Sequence, residues 1–416
     1  TRGTLDGYYW GSGSCSPDLG YEVRMEGWRK WVLLLVALAL TAQSAIGCRV
    51  DGPTSVPPSA AVSTAESGST HRAVATPSPS AGPTAEPTAT SVPSPSPTAE
   101  RHADGRHSQA DESATLGSLQ QVDAYPLYTM RYYGPYTGRA SSLERVRFAP
   151  TPVTQLAWGC SLFAALGDGE NRRYGRNFDW QYSPALLLFT DPPDGYASVS
   201  MVDIGYLVPA GEVQDLMNLP LAAREPLLEA PFWPFDGMNE HGLVVGMAAV
   251  PADGMPYDAD RETIDSLGVI REMLDHARDV EEAIAILGSY NIEWDGGPAL
   301  HYLIADAAGR SVLVEFYAGE MALIPNSDGK PWHLATNHLR SRVDAGEPSG
   351  CWRYDAMERR LAAAEGALAI SDALDLLAEV AQENTQWSVV YDLSAGGVHV
   401  AMGQAYEKEH VFSLRP

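Results

Sequence analysis

Between Gly52 and about Thr115 the chain offers almost nothing large and apolar to bury. The stretch is Pro, Ser, Thr, Ala and Gly, as in "TPSPSAGPTAEPTATSVPSPSPTAE" (residues 76–100). Without buried side chains the entropy of ordering a chain is not offset. The region therefore reads as a semi-extended linker. Any packed domain in this 416-residue chain has to come from the residues beyond that linker. Aromatic residues return at "DAYPLYTMRYYGPY" (123–136), where burial becomes possible again. The folded unit is expected to start near there and to run to the end.

The segment before the linker has the order of an export signal. From Met25 the chain reads "MEGWRKWVLLLVALALTAQSAIGC": Arg29 and Lys30, then an apolar run from Trp31 to Leu40, then small residues. Such a run is too short to span a bilayer comfortably, and the order is that of a secretory signal. The ending at Gly47-Cys48 resembles a bacterial lipobox, although Ala45 stands where leucine is usual. This implies lipidation of Cys48 and a membrane anchor; a plain signal peptide is the competing reading. Residues 1–24 read as upstream sequence from a wrong start, 25–47 as the signal and 48–115 as the linker. The folded part is expected outside the cytoplasmic membrane.

Charge narrows the partners. Lys and Arg number 28 against 53 Asp and Glu, a net charge of -25. Nucleic acid is bound by concentrated positive charge, so it is not an expected partner. Four cysteines (Cys15, Cys48, Cys160 and Cys351) are too few for a disulfide scaffold. His241, His301, His333 and His338 show no metal-ligand spacing, and no cofactor is expected. There is no G-x-S-x-G elbow and no glycine-rich phosphate loop.

Beyond the linker, runs of strands and runs of helices alternate. "CSLFAALG" and "RRYGRNFDW" read as strands joined by Gly167-Asp168-Gly169. "YASVSMVDIGYLV" and "FWPFDGMNEHGLVVGMAAV" read as further strands, the second with a tight turn. "RETIDSLGVIREMLDHA" and "VEEAIAILGSY" space apolar residues as amphipathic helices do. Strands return in "ALHYLIADAAGRSVLVEFYAGEMALI" and "WHLATNH". Helices follow in "RYDAMERRLAAAEG" and in "SDALDLLAEVAQ", with Ser371 as its expected N-cap. "WSVVYDLSAGGVHVAMG" reads as a closing hairpin. Segregated runs of this kind predict an α+β fold, antiparallel sheets with helices packed outside.

"WGCSLFAALGDGENRRYGRNFDW" (158–180) carries the chemistry. A thiol has a pKa near ~8.5 and needs help to act as a thiolate. If a cysteine becomes the first residue of a chain, its own α-amine can serve as base. That requires a cut between Gly159 and Cys160, and a glycine leaves the thiol room to reach the preceding carbonyl. A nearby arginine would favour thiolate and oxyanion, and a nearby carboxylate would hold the ammonium. Arg176 and Asp179 supply both, and a hairpin would return them beside Cys160.

These residues resemble the start of the N-terminal nucleophile (Ntn) hydrolases acting on linear amides. The group includes choloylglycine hydrolase, penicillin V acylase, acid ceramidase and N-acylethanolamine amidase, and isopenicillin N acyltransferase. In all but the last, arginine and aspartate follow the cysteine by sixteen and nineteen residues, as Arg176 and Asp179 follow Cys160. "FDGMNEHGLVVGMA" is similar to the family's second hairpin, and "HYLIADAAGRSVLVEF" to its paired strands. "ATNH" places Asn337 at the oxyanion asparagine, and "CWRYDAMERRL" places Arg353 at the late arginine. The resemblance spans about residues 125–416. It implies a four-layer αββα sandwich, with 116–159 as propeptide or N-terminal part of the fold and 160–416 as catalytic domain. It also implies a small-molecule N-acyl amide substrate, cleaved through an acyl-enzyme on Cys160.

The chain departs from these relatives in two places. Met247-Ala248-Ala249-Val250 stands where bile salt hydrolases carry a second asparagine and penicillin V acylases a tyrosine. The acyltransferase branch shares the Gly-Cys cut but has glutamine in place of Arg176. The competing readings are an acyltransferase, a papain-type cysteine enzyme with an internal Cys160, and an inactive surface-binding protein. A Cys160–Cys351 disulfide and a purely structural Cys160 also remain open. Asn239 and Asp306 read as turn residues. Phe232, Trp233 and Phe235 read as core, with an acyl pocket as the alternative.

Overall fold

The computed structural model describes residues 107–136, 159–208, 216–251, 253–294, 297–326 and 330–414. The signal, Cys48 and nearly all of the linker lie outside them, as does Trp158.

Order begins earlier than composition suggests. Helix α1 (Gln109–Gly117) starts inside the stretch read as linker. Its capping box explains why: Ser108 Oγ accepts from the Asp111 N–H, and the Asp111 carboxylate accepts from the Ser108 N–H. Thr115 and Leu116 are buried. Strands β1 (Gln120–Asp123) and β2 (Leu127–Arg131) follow.

After these come β3 (Gly159–Ala165), β4 (Arg173–Asp179), β5 (Ala185–Thr190) and β6 (Ser198–Asp203). A 3-10 stretch (Leu221–Phe232) leads to β7 (Pro234–Asn239) and β8 (Val244–Val250). Then come β9 (Glu262–Asp265), α2 (Gly268–His276), α3 (Val280–Ser289) and β10 (Tyr290–Glu293). Next are β11 (Ala299–Ala305), β12 (Ser311–Tyr317), β13 (Glu320–Pro325) and β14 (Trp332–Ala335). The chain finishes with α4 (Arg340–Asp344), α5 (Trp352–Ala363), α6 (Ile370–Glu379), β15 (Thr385–Asp392), β16 (Gly397–Met402) and β17 (His410–Ser413).

One sheet runs β1-β2-β5-β6-β7-β8-β11-β12-β13 and the other β14-β3-β4-β15-β16-β17. Every pairing in them is antiparallel except β2 with β5. Side chains of a strand alternate between its two faces, and both sheets use that alternation fully. In β3, Cys160, Leu162 and Ala164 enter the large core between the sheets, whereas Phe163 and Ala165 pack with α5 and α6. In β5, Ala185, Leu187 and Phe189 join the central core, and Leu186 and Leu188 pack with α1 and the 3-10 stretch. Helices α2 and α3 cover the nine-stranded sheet with Val269, Ile270, Met273, Leu274, Ala283 and Leu287. The layers are therefore helix, sheet, sheet, helix, the αββα arrangement expected.

Two local expectations change. "RETIDSLGVIREMLDHA" is not one helix: β-branched Thr263 and Ile264 pair parallel with Asn291 and Ile292. Asp265 then accepts the Leu267 and Gly268 N–H groups and starts α2. Ser371 is not an N-cap. Buried Leu368 sets the entry, Ala369 is the cap residue, and Ser371 falls in the first turn of α6. Asn239 and Asp306 do hold turns. Asn239 Oδ1 accepts from the His241 and Leu243 N–H groups, and Asp306 Oδ1 from those of Ala308 and Arg310. Phe232 and Phe235 are core, Phe232 against Tyr136 and Phe235 against Phe178.

Candidate active site

The β3–β4 hairpin brings Arg176 to Cys160. Register sets Cys160 opposite Phe178 and Leu162 opposite Arg176. Arg176 is thus the diagonal neighbour of Cys160, within reach of a long side chain. Both residues share the inward parity of Tyr174 and Phe178, so both enter the core between the sheets. Arg176 Nη2 lies 3.6 Å from Cys160 Sγ. The guanidinium has no exposed surface, stands 5.1 Å from the Phe178 ring centroid, and pairs with Asp236.

Asp179 lies opposite Gly159 and is buried. Thr385 Oγ1 donates to its Oδ1 at 2.5 Å and Gln382 Nε2 to its Oδ2 at 2.6 Å. Arg353 Nη1 is 3.6 Å from Oδ2. A Cβ on residue 159 would stand 2.1 Å from Gln382 Nε2 and 2.9 Å from Asp179 Cβ. Crowding by these two side chains therefore favours glycine at this position.

Asn337 and Arg353 close around the same residue. β14 pairs with β3, Ala335 opposite Leu162, and the chain beyond it carries Asn337 to Cys160. The Cys160 N–H donates to Asn337 Oδ1 at 2.8 Å, and Arg353 Nη2 donates to the same oxygen at 2.9 Å. Two donors converging there fix the amide orientation. Asn337 Nδ2 donates to the Ala249 carbonyl at 2.9 Å, leaving its second N–H for another acceptor. Arg353, from α5, donates through Nη1 to the Cys160 carbonyl at 2.5 Å and to Ser161 Oγ at 2.9 Å. All five residues singled out in the sequence (Cys160, Arg176, Asp179, Asn337 and Arg353) therefore meet at one point, with Gly159 beside them.

The site is buried, and its charges are balanced. Burial pushes the Cys160 thiol up; Arg176 opposes this and Asp179 adds to it. Burial also raises Asp179, against the pull of Arg353, Thr385 and Gln382. Arg353 is lowered by burial, with Asp179 acting against the shift. Burial disfavours the Arg176 charge, but Asp236 and Cys160 outweigh it and raise its pKa. Two arginines and two aspartates thus surround one thiol.

Sequence reasoning missed Asp236, Gln382, Thr385 and Tyr391. Asp236 lies inside "FDGMNEHG", whose strand–turn–strand pattern carries no sign of a contact with the facing sheet. Cys160 is a free thiol, so it does not pair with Cys351. Among the described residues no group of three or more His, Cys, Asp or Glu side chains forms a metal site.

Residues 234–405 match the family model described as acyl-coenzyme A:6-aminopenicillanic acid acyl-transferase. A mutant of the conjugated bile acid hydrolase from Clostridium perfringens is 16% identical, with a TM-score of 0.45 over 61% of this chain and 92% of that one. The penicillin V acylase from Agrobacterium tumefaciens is also 16% identical, with a TM-score of 0.40 over 58% and 83%. The αββα layering and the matched model support an Ntn hydrolase of the linear-amide C–N hydrolase group, in keeping with the resemblance read from the sequence.

Proposed function

We propose that the protein is a cysteine enzyme that matures by cutting itself between Gly159 and Cys160 and then acts on small N-acyl amides. The observation that carries this reading is the convergence on Cys160. Arg176 reaches its sulfur, and Asn337 and Arg353 bond its backbone N–H and carbonyl.

In maturation Cys160 Sγ attacks the Gly159 carbonyl. The C–N bond breaks, Cys160 nitrogen takes the proton, and a thioester is left. Water then releases Gly159 as a carboxylate and frees the thiol. The new ammonium, next to Asp179, adds one positive charge to a balanced cluster. That charge favours the thiolate which burial alone disfavours. In turnover the thiolate attacks the amide carbonyl, and the second Asn337 N–H is placed for the oxyanion, a contact worth ~3 kcal/mol. The α-amine protonates the leaving amine, and water releases the acid. Transfer to an amine in place of water is the second reading, favoured by the family model that matches. A papain-type reading is not supported, since among the described residues Cys160 bonds no histidine. Export and a lipid on Cys48 belong to the same proposal, motivated by the apolar run ending at Gly47-Cys48.

The test is Cys160→Ala, followed by intact mass and by turnover of a panel of N-acyl amides. The expected result is an uncut, inactive chain beside a wild-type protein that yields residues 160–416. Wild-type turnover by the alanine variant would sink the assignment.

A further inference from the structure

Arg176 needs holding if it is to face a thiol. Its side chain is long, and a buried guanidinium goes wherever its counter-charge lies. Nη1 donates to the Phe235 carbonyl at 2.7 Å and pairs with Asp236 Oδ2. The Tyr391 hydroxyl donates to the other oxygen, Asp236 Oδ1. Arg176, Asp236 and Tyr391 are all fully buried. Arg176 and Tyr391 come from adjacent strands of the six-stranded sheet, β4 and β15. Asp236 comes from β7 of the nine-stranded sheet. The clamp therefore crosses the interface between the sheets. It leaves Nη2 directed at Cys160 Sγ, at 3.6 Å, with Met247 Sδ 4.0 Å from the same nitrogen.

We propose that Asp236, oriented by Tyr391, is a positioning residue that holds Arg176 against Cys160 and so sets the charge state of the nucleophile. Its part in turnover rests on the function proposed above. Its effect on the thiol does not.

The charge and the position of Asp236 act in opposite directions. Its negative charge alone disfavours a thiolate, whereas the position it imposes on Arg176 favours one. The other charged groups around Cys160 are Asp179 and Arg353, and Tyr174 faces Arg176 from its own strand. Asp179 and Arg353 keep their charges in an Asp236 variant, and burial, the largest cause of its raised pKa, still holds Tyr174 up, so the sign of the response identifies the role.

The experiment is a titration of Cys160 by thiolate ultraviolet absorbance on the full chain, with Cys160→Ser subtracted in each background. Asp236→Asn is expected to move the titration upward by about one unit, a tenfold loss of thiolate on the flank of the curve. Tyr391→Phe should move it the same way by less, and Asp236→Glu should restore part of the shift. Where N-acyl amide turnover is measurable, kcat should fall more than KM rises, with its acid limb displaced upward. A titration unchanged or lowered in Asp236→Asn overturns the proposal. If that variant does not fold, an unchanged titration in Tyr391→Phe overturns it. A wild-type chain that never separates at Gly159–Cys160 overturns the proposed function instead and leaves the titration to decide this point.

Discussion

The Cys160 N–H donates to Asn337 Oδ1 across 2.8 Å, so the atom proposed to become the α-amine is gripped before any cut. Asn337→Ala would strand that N–H, one donor of Arg353 and the Ala249 carbonyl, all buried. Each stranded group costs about 1–3 kcal/mol. Self-cleavage followed by gel should slow, and kcat should fall about 10²–10³-fold. Asn337→Asp keeps the acceptor and loses the Nδ2 donor, so it should cleave faster than Asn337→Ala while remaining equally poor in turnover. Equal cleavage by the two variants would remove the acceptor role.

Gly159→Ala tests the crowding at the junction. The added methyl would overlap Gln382 Nε2 and press on Asp179. Cleavage should slow at least about tenfold, roughly 1.4 kcal/mol in the barrier. Gln382→Ala added to Gly159→Ala should recover part of the rate. Fragments that do mature should turn over at the wild-type kcat, because residue 159 has left the chain; an altered kcat per cut molecule would contradict the proposed junction.

Why Gly159 and Arg176 were legible and Asp236 was not is a matter of sequence distance. Cys160, Arg176 and Asp179 belong to one hairpin whose turn, Gly167-Asp168-Gly169, stands between them, so local pairing alone brings them together. Asn337 and Arg353 entered through a family resemblance rather than through any local rule. Asp236 and Tyr391 meet Arg176 only because two sheets face each other, and no period in β7 or β15 reports a contact between layers. Gln382 and Thr385 sit around the loop after α6, where polar residues read as solvent-facing. Helix α1 is hidden for the opposite reason: its short capped sequence sits at the end of a polar tract whose composition masks a local signal.

Two histidines and one buried carboxylate should each lose their contribution to stability in acid. Burial lowers His333 from 6.5 to about 4, with Arg340 adding to the effect, and burial likewise lowers His338 to about 4. An unfolded chain takes up those protons below pH 6.5 and the folded one does not. Their contribution is therefore full above 6.5 and falls as pH drops toward 4, by on the order of 3 kcal/mol for His333. Glu315 behaves as a depressed carboxylate. Burial opposes its charge, but bonds from His301 and the Ser341 N–H bring it to about 2. Its contribution is present above 4.5 and lost between 4.5 and 2. Burial raises Asp203 to about 7, so that group gains stability over the same fall in pH. The histidine contribution is therefore read as a difference: in urea melts at pH 7, 5 and 3 the His333→Gln variant should lose less stability than the wild type between pH 7 and 5.

The segment before the cut should stay with the rest of the fold. β2 pairs with β5 from Leu127 opposite Ala185 to Arg131 opposite Phe189. Leu116, Leu119, Leu127, Tyr128, Met130, Tyr132 and Tyr136 are buried. At about 1.5–3 kcal/mol for each large side chain, this burial amounts to on the order of 10 kcal/mol. After cleavage the two fragments should co-elute in size exclusion and separate only in denaturant. Asp123→Ala removes the partner of His410 and Lys408 and should lower the denaturant needed. Elution of residues 160–416 alone under native conditions would contradict this.

Under the proposed anchoring, that same β2–β5 pairing would decide where the mature fragment resides. If Cys48 carries the anchor, the cut at Gly159 severs the covalent path from the bilayer to the nucleophile. Among the described residues, what remains to moor the catalytic fragment is the grip of 107–136 on the sheet edge, with Tyr136 bonded to Asp275 and Tyr125 to Gln386. The mature protein would then be a docked cargo whose tether is a strand, and weakening that strand would shed a working enzyme into the surroundings without any further proteolysis.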